Sequence, residues 1–306
     1  MIELLQNNGV INEQGFAGDF YNTAVYLKRL FPAISTRLLS AVGQDEMSGK
    51  MLKTFENENL DIQHVFKLAD QQPGIYVVQT DDEGERSFLY WRESSAARQV
   101  IKSLSDEVIK TLSEDDIFFF SGISLAVIPP DDRAEFWRCI DKFKSAGVKI
   151  AFDLNYRPKL WASKEEAQEQ FNLAFQASEI LLPGVDDFSS IFDIDTLEGV
   201  IEYFTRYEFD ELIIKNGEKS VECLSASGQE TVAVTTVENV IDTTSAGDSF
   251  NGAYLGARMS GKSIAASVEL AVDVAGFVIQ HKGAIVSRQA FQKDLFDSKQ
   301  IYYSRA

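Results

Sequence analysis

Ile117-Phe118-Phe119-Phe120-Ser121 is followed by a helical pattern from Arg133 to Ala146, and then by Val148-Lys149-Ile150-Ala151-Phe152-Asp153. Both short runs are almost continuously apolar, as strands covered on both faces are. The alternation goes on. Lys164 to Ala177 reads as a helix, Ile180 to Leu182 as a strand, the stretch around Thr196 to Tyr207 as a helix, and Glu211 to Lys215 as a strand. Strand and helix in turn predict an α/β fold with a mostly parallel central sheet and helices on both of its faces. Ligands of such sheets bind beyond the carboxyl ends of the strands. The residues that follow each strand are therefore the ones to read for chemistry.

The bounds agree with a fold of this type. The 306 residues are 45% hydrophobic, enough for one large domain, and no internal repeat or low-complexity linker divides them. Twenty-nine Lys and Arg against 47 Asp and Glu give a net charge of -18, which excludes the basic footprint of a nucleic-acid binder. No apolar run is long enough to span a membrane, and no signal peptide is evident. Cys139 and Cys223 lie far apart without metal-ligand spacing, as buried thiols of a reducing cytoplasm do. Gly43-Gln44-Asp45-Glu46-Met47-Ser48-Gly49-Lys50-Met51 has the wrong glycine spacing for a phosphate-binding P-loop and lacks its Ser or Thr. No G-x-G-x-x-G follows a strand, which removes a nicotinamide enzyme. His64 and His281 stand alone in sequence.

The chemistry concentrates in Ile241-Asp242-Thr243-Thr244-Ser245-Ala246-Gly247-Asp248-Ser249-Phe250. Thr235 to Ile241 forms a strand or an extended approach. Phe250, Tyr254, Leu255 and Met259 fall at helical spacing up to Gly261. Small residues thus mark a helix entrance, whose first N–H groups lack internal partners and carry the positive end of the dipole. That makes an anion site suited to phosphate. Asp248 in the first turn is either a dipole partner or a base for an attacking hydroxyl, and spacing alone leaves both open.

Other candidates lie along the chain. Gly15-Phe16-Ala17-Gly18-Asp19-Phe20-Tyr21-Asn22 leads into a helix from Asn22 to Leu30, with Asp19 and Asn22 able to hold sugar hydroxyls or to cap. Thr36 to Gly43 reads as a strand and Met47 to Asn57 as a helix. Gly74 to Thr80 and Arg86 to Arg92 read as strands joined by a turn at Asp81 to Gly84. Tyr76 faces Tyr90 only if that loop holds an odd number of residues. Phe88, Tyr90 and Arg92 share one face. Arg157, after the strand ending at Asp153, is suited to a bidentate grip on a carboxylate. Lys262 to His281 is helical and mostly core.

Asp242-Thr243-Thr244-Ser245-Ala246-Gly247-Asp248 resembles the DTxxAGD signature of the ribokinase-like (PfkB) sugar kinases. Gly84-Glu85-Arg86-Ser87-Phe88-Leu89-Tyr90-Trp91-Arg92 and Phe152-Asp153-Leu154-Asn155-Tyr156-Arg157-Pro158-Lys159-Leu160-Trp161 resemble two segments of the branch that acts on 2-keto-3-deoxygluconate. The resemblance covers almost the whole chain. It implies one ribokinase-like domain over 1–306, with a small β-sheet lid from residues within about 5–15 and 60–95. Met1 to Leu5 then reads as the tail of a truncated first core strand. It implies ATP-dependent, Mg²⁺-assisted transfer to O6 of a sugar acid. Asp248 is the base. The backbone of Ser245, Ala246, Gly247 and Asp248 forms the anion hole. Gly18, Asp19, Asn22, Tyr76, Tyr90, Arg92 and Arg157 bind sugar. Asp153, Asn155, Lys215, Gly217, Ser245 and Gly247 lie by the nucleotide, with Lys282-Gly283-Ala284 near the adenine. Gly184 and Asp187 replace the Asn and Glu of the family's NxxE motif, so Asp187 is the candidate tied to metal. The truncated start, Ala17 and Gly184 keep a catalytically silent sugar-binding protein in view beside another sugar kinase. Cytoplasmic location and a homo-oligomer fit the resemblance; it names no partner beyond sugar acid and ATP.

Overall fold

The computed structural model describes residues 1–7, 10–80 and 86–295. In chain order, β1 (Ile2–Asn7) and β2 (Val10–Phe16) precede α1 (Asp19–Leu30), β3 (Arg37–Val42), α2 (Glu46–Asn57) and β4 (Asp61–Lys67). Then come β5 (Ile75–Thr80), β6 (Arg86–Trp91), α3 (Asp106–Leu112), β7 (Ile117–Ser121), α4 (Gly122–Val127), α5 (Arg133–Ala146), β8 (Lys149–Asp153) and α6 (Lys164–Ala177). The chain continues through β9 (Ile180–Leu181), α7 (Val185–Phe192), α8 (Leu197–Phe204), β10 (Glu211–Asn216), β11 (Ser220–Ser225), β12 (Gly228–Ala233), α9 (Ala246–Met259) and α10 (Ile264–Val278).

The central sheet has the order β12-β11-β10-β9-β8-β7. Strands β7 to β10 are parallel, and β11 and β12 add an antiparallel hairpin. Its strands alternate strictly between two cores. Ile150, Phe152, Leu181, Leu212 and Ile214 pack with Phe136, Phe171, Phe188 and Phe204 of α5 to α8. Ala151, Ile180, Leu182 and Ile213 pack with α1, α9 and α10 through Tyr26, Phe250, Tyr254 and Val268. A strand has period two, so the near-continuous apolar runs of the sequence supply both faces at once.

Helices α1 and α9 approach closely because two positions carry no side chain. A Cβ on Gly252 would strike the Thr23 carbonyl oxygen and lie 3.0 Å from the Leu27 backbone nitrogen, and one on Gly256 would strike the Phe31 ring. We expect Gly252→Ala to cost about 1–3 kcal/mol in urea unfolding, because backbone on a packed helix has no room to yield. An unchanged midpoint would show that the helices part freely.

Two findings correct the sequence reading and two refine it. Met1 to Leu5 is not a remnant of the core sheet. Ile2–Asn7 is a full strand of a separate four-stranded sheet, β2-β1-β5-β6, pairing parallel with β5 and antiparallel with β2. Within the range 60–95, Asp61–Lys67 does not join that sheet. It pairs parallel with β3 as an isolated two-stranded ribbon. Thr235 to Ile241 makes no ladder; Ile241 and Asp242 donate their N–H groups to the Ile279 carbonyl instead. Lys262 to His281 contains one helix, α10. The turn at Asp81 to Gly84 lies outside the described residues. Strands β5 and β6 pair Tyr76 with Tyr90 and Thr80 with Arg86, the register that an odd loop demands.

Because β3 and β7 belong to different sheets, the parallel layer is interrupted. Between them lies a largely apolar cavity of about 510 Å³, lined by Leu38 to Val42, Ile117 to Phe120, Leu27 and Phe143. Arg37 at the start of β3 bridges it to Asp115 just before β7, at 3.1 Å.

Candidate active site

Four segments converge at the carboxyl ends of β7 and β8. The first is the entrance to α9. Ser245 is its N-cap in the left-handed region, φ 66°, which turns the chain sharply into the helix. A Cβ on Gly247 would meet nothing within 4 Å, so the backbone there faces open space. Among the described residues, the N–H groups of Gly247 and Asp248 have no backbone acceptor. The Ala246 N–H does have one, the Thr243 carbonyl at 3.2 Å, which removes it from the expected anion hole. Asp242 braces the entrance, accepting from Thr244 N–H at 3.1 Å and Gly283 N–H at 2.6 Å.

The second segment is the start of α1. Asn22 is buried, and its Nδ2 donates to Asp248 Oδ2 at 2.8 Å while its Oδ1 accepts from Gly18 N–H at 3.2 Å. Asn22 therefore ties the sugar-side loop to the proposed base. Burial, and next the charge of Asp19, push the Asp248 carboxyl up to about 7, against the opposing hydrogen bond from Asn22. Asp19 accepts from the Ser121 hydroxyl, and burial raises its carboxyl too. Ser121 closes β7 and at the same time caps α4 through Ile123 and Ser124. The sequence reading missed Ser121; its position beyond a carboxyl strand end was the available signal.

The third segment follows β8. Asn155 is buried in the left-handed region at φ 30°, a conformation that Asn tolerates better than most residues. The Tyr156 N–H donates to Asp187 Oδ1 at 3.1 Å, and Arg157 lies 4.0 Å from the same oxygen. Arg157 spends one N–H on the Tyr156 carbonyl and keeps a half-exposed side chain. Burial, then the charge of Asp153, push Asp187 up to about 6. Asp153 is engaged within the protein. It is 4% exposed, and its two oxygens are taken by Lys215 Nζ at 2.9 Å and Asn251 Nδ2 at 3.0 Å. Gly217 sits exposed at the β10–β11 turn with φ 57°.

The fourth is the small sheet. The Arg92 guanidinium stacks over the Tyr90 ring at 4.2 Å, and Tyr90 stacks on Tyr76 at 5.8 Å. The Tyr76 hydroxyl donates to Glu3 Oε1 at 2.5 Å inside the sheet, so toward a ligand its oxygen can only accept. Arg92 and Arg157 each lie within electrostatic reach of Asp19 and of one another. Arg92, Arg157 and the desolvated Asp19 carboxylate thus lie near one another, and Asp19 in turn lies within electrostatic reach of Asp248 at the α9 entrance.

The chain matches the family model described as pfkB family carbohydrate kinase over residues 7–290, and it belongs to that family. Among curated relatives, it is 37% identical to the 2-dehydro-3-deoxygluconokinase of Haemophilus influenzae, covering 90% of each chain. It is 36% identical to the enzyme of the same name from Escherichia coli K12, covering 95% of this chain and 96% of that one. The fold matches a solved PfkB protein from Polaromonas sp. JS666 with a TM-score of 0.83 at 22% identity, over 98% of this chain and 97% of that one.

Proposed function

We propose that the protein transfers the γ-phosphoryl group of ATP to the terminal 6-hydroxyl of 2-keto-3-deoxygluconate. The observation that carries this reading is Asp248, held by Asn22 in the first turn of a helix whose entrance is open at Gly247. A 2-dehydro-3-deoxygluconokinase name is shared by relatives at 36–37% identity over nearly full length. The four-stranded sheet acts as the lid over the sugar, bringing Arg92 and Tyr90 to the carboxylate end, with Arg157 opposite.

Asp248 takes the O6 proton as that oxygen bonds to phosphorus and the bond to ADP breaks. An alcohol is too weak an acid to lose its proton beforehand, so the base acts during transfer. The Gly247 and Asp248 N–H groups and the α9 dipole stabilise charge on the γ-phosphoryl oxygens. A solved E. coli neighbour of 19% identity is described as a complex with ATP and Mg²⁺. Among the described residues, no group of three or more His, Cys, Asp or Glu is placed to hold a metal. The donor set suits a Mg²⁺ held mainly by phosphates and waters, with Asp187 or its water as a single carboxylate contact. When bound, that ion neutralises phosphate charge.

Coupled ADP release separates the readings. With MgATP, 2-keto-3-deoxygluconate should support turnover at a kcat/KM far above fructose or ribose. Equal use of the neutral sugars would leave only a general sugar kinase, and no ADP from any sugar would leave a silent binder.

The pH profile is a second test. The base works only when ionised, so activity is lost as pH falls through its folded-state value. With Asp248 at about 7, kcat/KM should fall roughly tenfold per unit below about pH 6.5. A profile flat down to about pH 5 would mean a carboxyl with the ordinary value, or a different base.

A further inference from the structure

Asn251 lies on α9, three residues past Asp248, and is wholly buried. Its side chain completes a closed ring with two others. Asn251 Nδ2 donates to Asp153 Oδ2 at 3.0 Å, Lys215 Nζ donates to Asp153 Oδ1 at 2.9 Å, and Lys215 Nζ donates to Asn251 Oδ1 at 3.3 Å. The three residues come from three elements, α9, β8 and β10. Mid-helix Asn is a poor helix former, and a buried amide is costly unless it is bonded. This position therefore gives up helix propensity to hold something in place.

The ring dictates the residue type. One atom must donate to a carboxylate while its neighbour accepts from an ammonium, and an amide does both at once. Asp at 251 would set a second carboxylate against Asp153. Ala would leave Lys215 held on one side only. The ammonium has three N–H groups, and the ring uses two. The remaining one belongs to a cation within one turn of the α9 entrance, where phosphate charge is to gather. The same ring engages both oxygens of Asp153 within the protein.

We infer that Asn251 is a positioning residue of the nucleotide half of the site, acting through Lys215: it fixes the ammonium beside the phosphates while Asp248, one turn earlier on the same helix, serves the sugar. The inference rests on the kinase reading given above. Its reach is specific. Asn251 governs the nucleotide affinity, whereas Arg92 and Arg157 govern the sugar acid.

The test is a double-mutant cycle on the full chain with Asn251→Ala, Lys215→Met and the double variant. Nucleotide affinity is measured by displacement of a fluorescent ATP analogue, and KM for ATP and for the sugar acid by ADP release. Each single change should weaken ATP about 10–100-fold, the usual weight of a hydrogen bond to a charged group, and leave KM for the sugar acid within about twofold. The double variant should be no worse than Lys215→Met alone, because the two act as one unit. Additive losses, a change in the sugar KM, or an unaltered ATP affinity in Asn251→Ala would overturn the inference. Asn251→Ser, whose hydroxyl both donates and accepts, should recover part of the loss, and it carries the same test if the Ala variant does not fold. If wild-type protein binds the analogue yet turns over no sugar, the kinase reading fails while the cycle in nucleotide affinity still decides the role of Asn251.

Discussion

Replacing Asp248 by Asn is expected to lower kcat by about 10²–10⁴, the usual share of a general base, with both KM values changed by less than about threefold. The substitution is nearly isosteric. Its amide oxygen still accepts from Asn22 Nδ2, so α1 and α9 keep their contact through residue 22. What disappears is the basic lone pair aimed at the sugar hydroxyl. The loss should be the same at every sugar concentration, because the interaction matters only while the proton moves. The pH dependence below about 7 should vanish with it, since the group that burial and Asp19 had raised is gone. Full turnover in Asp248→Asn would remove the base assignment and with it the account of the α9 entrance. Loss of both turnover and nucleotide affinity would point instead to a helix start that needs the carboxylate for its own structure.

How much of this could be read from residues alone differs from segment to segment. The central sheet was legible because β7, β8 and β10 are apolar on both faces, and α5 and α6 carry a clear helical period; the bounds of both helices agree with the sequence reading. The small sheet was only half legible. β2 reads Val-Ile-Asn-Glu-Gln-Gly-Phe and is exposed over most of its length, so no apolar alternation marks it. β1 was misassigned because a parallel partnership with β5 spans more than seventy residues of chain and leaves no local trace. The same non-local pairing sets Glu3 against Tyr76 and engages the proton of a hydroxyl that sequence had offered to the substrate. At the site, Asp248, Asn22, Asp19 and Arg157 stand beside strand ends or helix starts, where sequence reasoning looks first. Asn251 stands in mid-helix among apolar neighbours. Nothing local distinguishes it from a tolerated polar residue until β8 and β10 bring Asp153 and Lys215 against it.

The net charge of -18 sharpens the problem that the proposed function sets, the binding of two anions. Asp19, Asp153, Asp187 and Asp248 lie within electrostatic reach across the same site, and each of the three raised carboxyls is raised first by burial. The chain offsets this locally rather than globally. Lys215 is paired with Asp153, and in the proposed reading its remaining N–H serves the phosphates while Arg92 and Arg157 meet the sugar carboxylate.

That division makes the second large effect specific. Arg92→Gln with Arg157→Gln should lower kcat/KM for the sugar acid about 10²–10⁴-fold, because each guanidinium supplies a charge-assisted bond worth about 1.5–3 kcal/mol. The larger part should fall on KM, since the proposed pose sets both groups at the end of the sugar away from the reacting hydroxyl. The KM for ATP should stay within about twofold, as Lys215 and the α9 entrance are untouched. The two arginines need not share the loss equally. Arg92 is already stacked on Tyr90 at 4.2 Å and is half-buried, so its order is prepaid and its loss should cost more. Arg157 has a more exposed side chain and must be drawn from solvent and from Asp187, 4.0 Å away, before it grips the ligand. Its single change should therefore lie near the lower end of the range. Kinetics of the two single variants and the double one, with 2-keto-3-deoxygluconate and MgATP varied in turn, check the argument. A double variant that keeps its KM for the acid would show that the carboxylate end lies elsewhere, and the choice of a sugar acid over a neutral sugar would lose its physical basis.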